Sequence, residues 1–367
     1  MQRVAGTLRH HARRCVRHVR QGSSLPERGK VLACASAIQH KQFLRIDARP
    51  MSSSAFNSVY PKHDNFVERH IGPNGPEEGS MLRYIGLQSL DELVEQAIPE
   101  NIRLNQDMDL DPAIGEGELQ KRITSLSQEN KVWRSYIGMG FYNCVTPTTI
   151  MRNIFENPGW TTQYTPYQPE VAQGRLESLL NYQTMICDMT GLDIANASLL
   201  DEATACAEAM GLCYRHNKRN KFLVDAKIHP QNLAVVRTRG SALGIDVIVM
   251  KREDMDFSQR DVGGVLIQYP DTDGNIYDLT DIVSQAHANG TLVTCATDLM
   301  ALSVLRAPGE FDVDIAVGTS QRFGIPLFYG GPHAGFFAIK DNFKRLMPGR
   351  VVGVTRDANG REALRLA

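Results

Sequence analysis

The stretch that decides the fold is QYTPYQPEVAQGRLESLLNYQTMICDMTGLDIANASLLDEATACAEAM, residues 163–210. Apolar side chains recur along it with the 3.6-residue period of one helix face. These positions are Leu176, Leu179, Leu180, Ile186 and Cys187. Gly174 precedes the predicted helix, and Gly191 follows it in a position that suits a C-terminal cap.

A second helix is predicted to begin within the same stretch, after a short apolar link. Ser198 or Asp201 can cap it, and the small residues that follow allow close packing against a sheet. A helix N-terminus has free N–H groups and a partial positive charge, which suits a phosphate group. The alternative is an ordinary capped, alanine-rich core helix. The turn in question consists of Asp201, Glu202, Ala203 and Thr204.

Downstream of this stretch, short apolar runs alternate with helical patterns. Continuous apolar runs are typical of strands in a sheet that is covered on both faces. The predicted strands are residues 221–225, 246–250, 264–270, 291–297, 314–318 and 335–340, and the predicted helices are 230–240 and 279–289. The alternation predicts a mostly parallel, doubly wound α/β domain with its ligands at the carboxyl ends of the strands.

The near-neutral formal charge of −1 hides an asymmetry between the two ends of the chain. Residues 1–50 carry a net charge of +9 and the remainder −10, and the first 20 residues hold six arginines and no acid. This composition is typical of a mitochondrial transit peptide, whose cleavage we expect between Arg45 and Ser54. A disordered basic tail that binds nucleic acid is the alternative, but no aromatic or glycine-rich RNA signature accompanies the arginines.

Other features of the composition exclude several classes of protein. No apolar run approaches the roughly 20 residues of a membrane span. None of the seven cysteines forms a CxxC pair, so we predict free thiols without a disulfide or metal site. Residues 133–167 are rich in tyrosine, glycine and proline, which predicts ordered loops that line a pocket, seal an interface or simply pack.

Residues 163–210 resemble the glycine cleavage system P-protein, glycine decarboxylase, and the resemblance extends from about residue 60 to residue 367. It is carried by RHIGP (69–73), RSYIGMGFYNC (134–144), CYRHNKRNKFLVD (213–225), QYPDTDG (268–274), SQRFGIPLFYGGPHAGFFA (320–338) and PGRVVGVTRDANG (348–360). The family consists of fold-type I pyridoxal-phosphate enzymes with two related halves, and this chain resembles the N-terminal half. Composition and helical pattern predict a transit peptide and linker (1–57) and a helical N-terminal segment (58–125). The resemblance implies a fold-type I large domain (126–367), with the C-terminal small domain missing.

A pyridoxal-phosphate site of this fold needs a Schiff-base lysine, an aspartate at the pyridine nitrogen, a residue stacked on the ring, and a phosphate cradle. The resemblance places Gln321, which has no amine, at the lysine position, and Thr294 at the aspartate position, with Asp298 four residues later. Two acids and Ala203 weaken the phosphate turn, because a methyl group disfavours a tight turn there. We therefore expect no covalently bound cofactor on this chain and no catalytic residue.

The remaining candidates are expected to line the active-site cleft shared with a lysine-bearing half, or to face the lipoyl-carrier H-protein. His229 stands where related enzymes place the ring-stacking residue, with a structural loop histidine as an equal alternative. The resemblance places His333 near the site, and a structural role is again the equal alternative. The full set is Tyr136, Gly138, Met139, Gly140, Tyr142, Tyr164, Tyr167, His229, Ser320, Arg322, His333 and Arg356.

The resemblance implies a function in the mitochondrial matrix. The complete enzyme decarboxylates glycine through a pyridoxal-phosphate imine and transfers the aminomethyl group to the lipoyl arm of H-protein. This chain would supply the half without the lysine, in a dimer or heterotetramer with a lysine-bearing C-terminal half. The alternatives are a catalytically silent binding or regulatory partner of H-protein or of the full-length enzyme, a truncated gene product, and an independent lysine-dependent enzyme, which Gln321 disfavours.

Overall fold

The computed structural model describes residues 70, 72–104, 106–160, 165–327 and 330–367. The predicted transit peptide and Tyr164 lie outside these residues. The chain divides into two compact units, Met1–Lys131 and Val132–Ala367. The described part of the first unit holds helices α1 (Gly75–Tyr84), α2 (Leu90–Ala97) and α3 (Glu116–Gln128). Ser89 caps α2, accepting a hydrogen bond from the backbone of Glu92 at 3.1 Å.

The second unit begins with the helix that the apolar period predicted, α4 (Gln173–Thr190). Its inward face includes Leu176 and Ile186, both fully buried, and Gly191 ends it in the left-handed conformation at φ 69°. The helix starts one residue before Gly174, so that glycine lies in the first turn rather than ahead of the helix. Buried Gln183 on the same face accepts from the backbone N–H of Val352 (2.8 Å) and donates to its carbonyl (3.1 Å).

A seven-stranded sheet forms the centre of this unit, with strand order β1-β7-β6-β5-β4-β2-β3. Strands β2 to β6 pair in parallel, whereas β1 and β7 pair antiparallel to their neighbours. The strands are β1 (Ile194–Ala195), β2 (Lys221–Asp225), β3 (Asp246–Met250), β4 (Val262–Tyr269), β5 (Leu292–Thr297), β6 (Ile315–Thr319) and β7 (Gly335–Ile339). The mostly parallel α/β fold predicted from the alternation is thus confirmed.

Helices cover both faces of the sheet and create two apolar layers. Helices α5 (Glu202–Asn217) and α6 (Pro230–Leu243) pack on one face, and α4 and α7 (Thr280–Ala288) pack on the other. The small side chains of α5 let it approach the sheet closely, as at Ala205 and Ala209, which are fully buried. Successive strand residues face opposite layers: Val265 belongs to the α4 side and Leu266 to the α5 side.

Two features of the second unit were not predicted from the sequence. The two-residue β1 is too short to give a sequence signal, and it forms only through pairing with β7. A hairpin of β8 (Val352–Arg356) and β9 (Glu362–Leu366) packs on α4, where Val352 is buried beside Leu176. Within the described residues the cysteines are free thiols, and no helix is long and apolar enough to cross a membrane.

Candidate functional site

The carboxyl ends of the parallel strands meet at one edge of the sheet, and the N-terminus of α5 points to the same edge. Ligand sites of doubly wound folds lie at this edge. Here a loop, residues 138–146, lies over it and contacts the segments that follow β2 and β6. We call this segment the covering loop. It is part of the tyrosine-, glycine- and proline-rich stretch 133–167, for which the sequence predicts ordered loops.

The covering loop starts with three consecutive residues in the left-handed backbone region. Gly138, Met139 and Gly140 have φ values of 62°, 53° and 89°. Glycine adopts this conformation without a steric penalty, which explains two of the three positions. The carbonyl of Met139 accepts a hydrogen bond from Gln231 Nε2 at 2.8 Å, and that bond ties the tight turn to α6.

Gln321 occupies the loop after β6, where the resemblance places the lysine, and it is fully buried. Its side-chain amide donates to the carbonyls of Ile325 (2.5 Å) and Tyr142 (3.3 Å) and lies 3.5 Å from the Cys144 sulfur. The amide therefore fastens the covering loop to the sheet edge. Its Oε1 atom is buried and has no hydrogen-bond partner within the described residues.

Arg322 makes the next set of contacts with the covering loop. Its Nε lies 3.3 Å from Oδ1 of Asp298, and its Nη1 donates to the Asn143 carbonyl at 2.9 Å. The guanidinium also lies over the Tyr142 ring, 4.9 Å from the centroid. Both charged side chains are largely buried, with 17% and 21% exposure. Burial raises the pKa of Tyr142, and the nearby carboxylates of Asp298 and Glu202 add to that effect.

The predicted phosphate turn is already satisfied by the chain's own carboxylates. Asp201 caps α5: its Oδ1 accepts from the backbone N–H of Thr204 at 2.6 Å and its Oδ2 from the Thr204 hydroxyl at 3.2 Å. Glu202 Oε1 accepts from Asn232 Nδ2 (2.7 Å) and Gln268 Nε2 (3.0 Å). Removal from solvent raises the pKa of Glu202 to about 7, although the two amide donors oppose that shift. Ala203, in the first turn, is buried.

Both histidine candidates lie beneath the covering loop. His229 is 4% exposed, its Nδ1 is 2.9 Å from the Thr272 hydroxyl, and burial lowers its pKa to about 4. It occupies the N-cap position of α6, and its side chain makes no cap hydrogen bond. His333 Nδ1 is 3.3 Å from Thr319 Oγ1, and its ring meets Phe141 edge to face at 5.3 Å.

Other predicted site residues do not join this cluster. Tyr136 is 82% exposed and has a contact with Arg134, and Tyr167 lies on the surface beside Arg350. Arg356 bonds only the carbonyl of Gly360 in its own hairpin, among the hydrogen bonds given for the described residues. Ser320 is buried beneath the edge, where it donates to the Ala334 carbonyl at 3.0 Å and accepts from Tyr182 at 3.1 Å.

Thr294, which the resemblance places at the pyridine-pairing position, belongs to β5. Thr294 lies in the middle of β5, fully buried between Leu266 and Ile315 of the neighbouring strands. Asp298 instead follows the last residue of β5, at the edge where a ligand would bind.

The donor set does not fit pyridoxal phosphate. Among the described residues, no lysine side chain contacts Gln321, Arg322, Asp298 or Glu202 at this edge. Lys227 pairs with Asp273 at the surface, and Lys340 pairs with Asp312 and Asp314, which precede β6. The α5 N-terminus is capped by a carboxylate, and Asp298 already has a cationic partner. We therefore derive no reaction step through this cofactor on these residues.

Sequence reasoning missed the polar residues that hold the candidates in place. Gln268 fixes Glu202 and Thr272 fixes His229. Gln268 gave a usable signal, since it is a polar residue inside an otherwise apolar strand. Thr272 gave none, because its partner lies 43 residues away in the chain.

Comparisons with known proteins support the resemblance seen in the sequence. The family model described as glycine cleavage system P-protein matches residues 68–367. The chain is 58% identical over 316 residues to human mitochondrial glycine dehydrogenase (decarboxylating), covering 86% of this chain and 31% of the relative. It is 52% identical over 305 residues to the glycine dehydrogenase (decarboxylating) of Photobacterium profundum, covering 83% and 32%.

A solved structure agrees with these relatives. The crystal structure of glycine decarboxylase (P-protein) of the glycine cleavage system, in inhibitor-bound form, superposes with a TM-score of 0.74 at 35% identity. The match covers 81% of this chain and 69% of that one. The chain spans about a third of the length of the curated relatives it matches. It belongs to the glycine cleavage system P-protein family.

Proposed function

We propose that this chain is the lysine-free part of a glycine decarboxylase that acts in the glycine cleavage system of the mitochondrial matrix. The complete enzyme takes glycine as substrate and passes an aminomethyl group to the lipoyl arm of H-protein. Pyridoxal phosphate supplies the electron sink for decarboxylation, held by the lysine of a second half. This chain supplies no Schiff-base lysine and no catalytic residue.

The observation that carries the proposal is the environment of Gln321. Gln321, which the resemblance places at the family's lysine position, is fully buried, and its amide donates to the protein's own backbone. An amide side chain cannot act as a nucleophile, and the guanidinium of Arg322 beside it offers no amine for a Schiff base. The edge therefore holds the covering loop in place and carries out no chemistry by itself.

The residues of this chain then support the neighbouring catalytic half. The covering loop is fixed from below by Gln321 and Arg322, while Tyr136, two residues before the loop, is exposed. A fixed backbone with exposed aromatic side chains suits a contact with a partner surface. We expect Tyr136, Tyr164, Tyr167 and Arg356 to contribute to the shared cleft or to the surface that meets H-protein, in a dimer or heterotetramer.

The experiment is reconstitution with a lysine-bearing half from the same family. Release of labelled CO₂ from carboxyl-labelled glycine is measured with lipoylated H-protein, for each half alone and for the two mixed. We expect activity only in the mixture, and none with H-protein that lacks the lipoyl group.

Activity of this chain alone would contradict the proposal, as would a mixture that neither associates nor turns over. If the chain binds H-protein tightly but never restores activity, it is a silent binding partner instead. The presequence is tested separately: import into isolated mitochondria should depend on the arginines of residues 1–20.

A further inference from the structure

The sheet edge carries a negative side chain at the start of α5 and a positive side chain beside Asp298. The cofactor that this fold accommodates carries its phosphate and its pyridinium nitrogen at corresponding places. Pyridoxal phosphate places an anion at the first turn of α5 and a cation, the protonated pyridine nitrogen, at the aspartate after β5. Both places are occupied here by side chains of the chain itself.

The anionic place is taken by Asp201. Its two carboxylate oxygens accept the backbone N–H and the hydroxyl of Thr204, at 2.6 and 3.2 Å. These are the donors that a phosphate would use at a helix N-terminus. A second carboxyl group, Glu202, occupies the adjoining position and is fixed by two amide donors. A phosphate dianion brought to this turn would displace one carboxylate and meet the other.

The cationic place is taken by Arg322. A guanidinium is planar and delocalised, so it can pair with a carboxylate and lie against an aromatic ring, much as a pyridinium ring would. Arg322 does both, with Asp298 at 3.3 Å and Tyr142 at 4.9 Å. Its Nη1 also donates to Asn143, so the pair is joined to the covering loop.

We propose that this chain fills its own cofactor site: Asp201 replaces the phosphate, Arg322 replaces the pyridinium, and Gln321 replaces the lysine as the anchor of the covering loop. Side chains of the chain itself then occupy the site and hold the covering loop in place without any ligand. This goes beyond the proposed function, because a half that merely lacks the lysine could still bind the cofactor noncovalently. A site occupied by Asp201, Arg322 and Gln321, in contrast, excludes even noncovalent binding of the cofactor.

The first measurement uses the wild-type chain alone. Equilibrium dialysis against pyridoxal phosphate, followed by borohydride reduction and peptide mapping, separates site binding from random modification of surface lysines. We expect no stoichiometric noncovalent uptake at about 0.1 mM, a concentration at which even weak sites of micromolar Kd would fill. Uptake of about one equivalent that inorganic phosphate displaces would overturn the proposal, whatever the reconstitution assay shows.

The second measurement removes the charge of Asp201 from the occupied site. Asp201→Asn keeps an N-cap oxygen but removes the charge, and Glu208→Gln on the surface of the same helix is the matched control. Calorimetric titration with inorganic phosphate should show at least a tenfold gain in affinity for Asp201→Asn and none for Glu208→Gln. Equal phosphate affinity in folded Asp201→Asn and wild type would contradict the role given to Asp201.

The third measurement restores the lysine. Gln321→Lys alone should give no pyridoxyl label at residue 321 and no absorbance near ~400–430 nm, because both charged places are still filled. Combining it with Asp201→Asn and Arg322→Leu should allow the label, with circular dichroism confirming the fold. Stoichiometric labelling of the single variant at residue 321 would overturn the proposal. An unfolded triple variant leaves the wild-type dialysis and the phosphate titration to decide.

Discussion

Glu202 gives a prediction with a definite sign and size. Its carboxyl group is removed from solvent at the start of α5, which raises its pKa from 4.5 to about 7. In the unfolded chain it releases its proton near the ordinary value. Between these two pKa values the folded state therefore holds more protons, and stability must fall as the pH rises. A difference of this size corresponds to about 3 kcal/mol of lost stability above pH 7, since each pKa unit is worth about 1.4 kcal/mol.

The substitution that isolates this effect is Glu202→Gln. Glutamine keeps an oxygen that can accept from Asn232 and Gln268, so the local hydrogen bonds can persist while the charge is removed. We expect the variant to match wild type at about pH 4.5 and to be more stable by roughly 2–4 kcal/mol at about pH 8. Urea unfolding of both proteins, monitored by far-UV circular dichroism, measures the difference at each pH.

The control is Glu208→Gln, which removes a carboxylate from the same helix. Glu208 pairs with Arg239 at the surface, so its loss should change stability by less than about 1 kcal/mol at any pH. A Glu202→Gln difference that stays constant from acid to mild base would refute the reasoning, since it would mean that Glu202 titrates alike in both states.

Three further perturbations test other parts of the structure. Gly309→Ala should destabilise the second unit by about 2 kcal/mol or more in urea unfolding, because the added methyl would lie 1.9 Å from the Gly191 carbonyl oxygen. The control Gly353→Ala, which has open space around the added methyl, should not have this effect. Gln183→Leu should lower the free energy of unfolding by roughly 2–4 kcal/mol, since it leaves the backbone N–H and C=O of buried Val352 without their partner. A loss as small as that of a surface change would show that the hairpin does not depend on these two hydrogen bonds. His287 bonds Asp314 at 2.8 Å, and that bond raises the pKa of the imidazole, so its stabilising contribution is present at acid pH and is lost as the pH rises through the folded-state pKa. His287→Gln should therefore lose stability relative to wild type at about pH 5.5 more than at pH 8.5, and an equal loss at both would exclude an ionised pair.

Local patterns determined the secondary structure and its order. The six predicted strands and the helix that ends at Gly191 occur close to their predicted bounds, because side-chain periodicity and caps act over a few residues. Asp201 was one of two caps proposed, and it is the one that forms. Family membership was also readable from the sequence alone, since the matching motifs are spread over some 300 residues.

The state of the site was decided only by tertiary structure. The sequence indicated that Gln321 could not act as a lysine, but not that its amide would hold a loop 179 residues away. Likewise Arg322 meets Asp298 only because β5 and β6 are neighbours in the sheet. Contacts between distant segments depend on strand order and on which residue ends each strand. Periodicity within a segment carries no information about either, so the closed edge could be seen only in the folded chain.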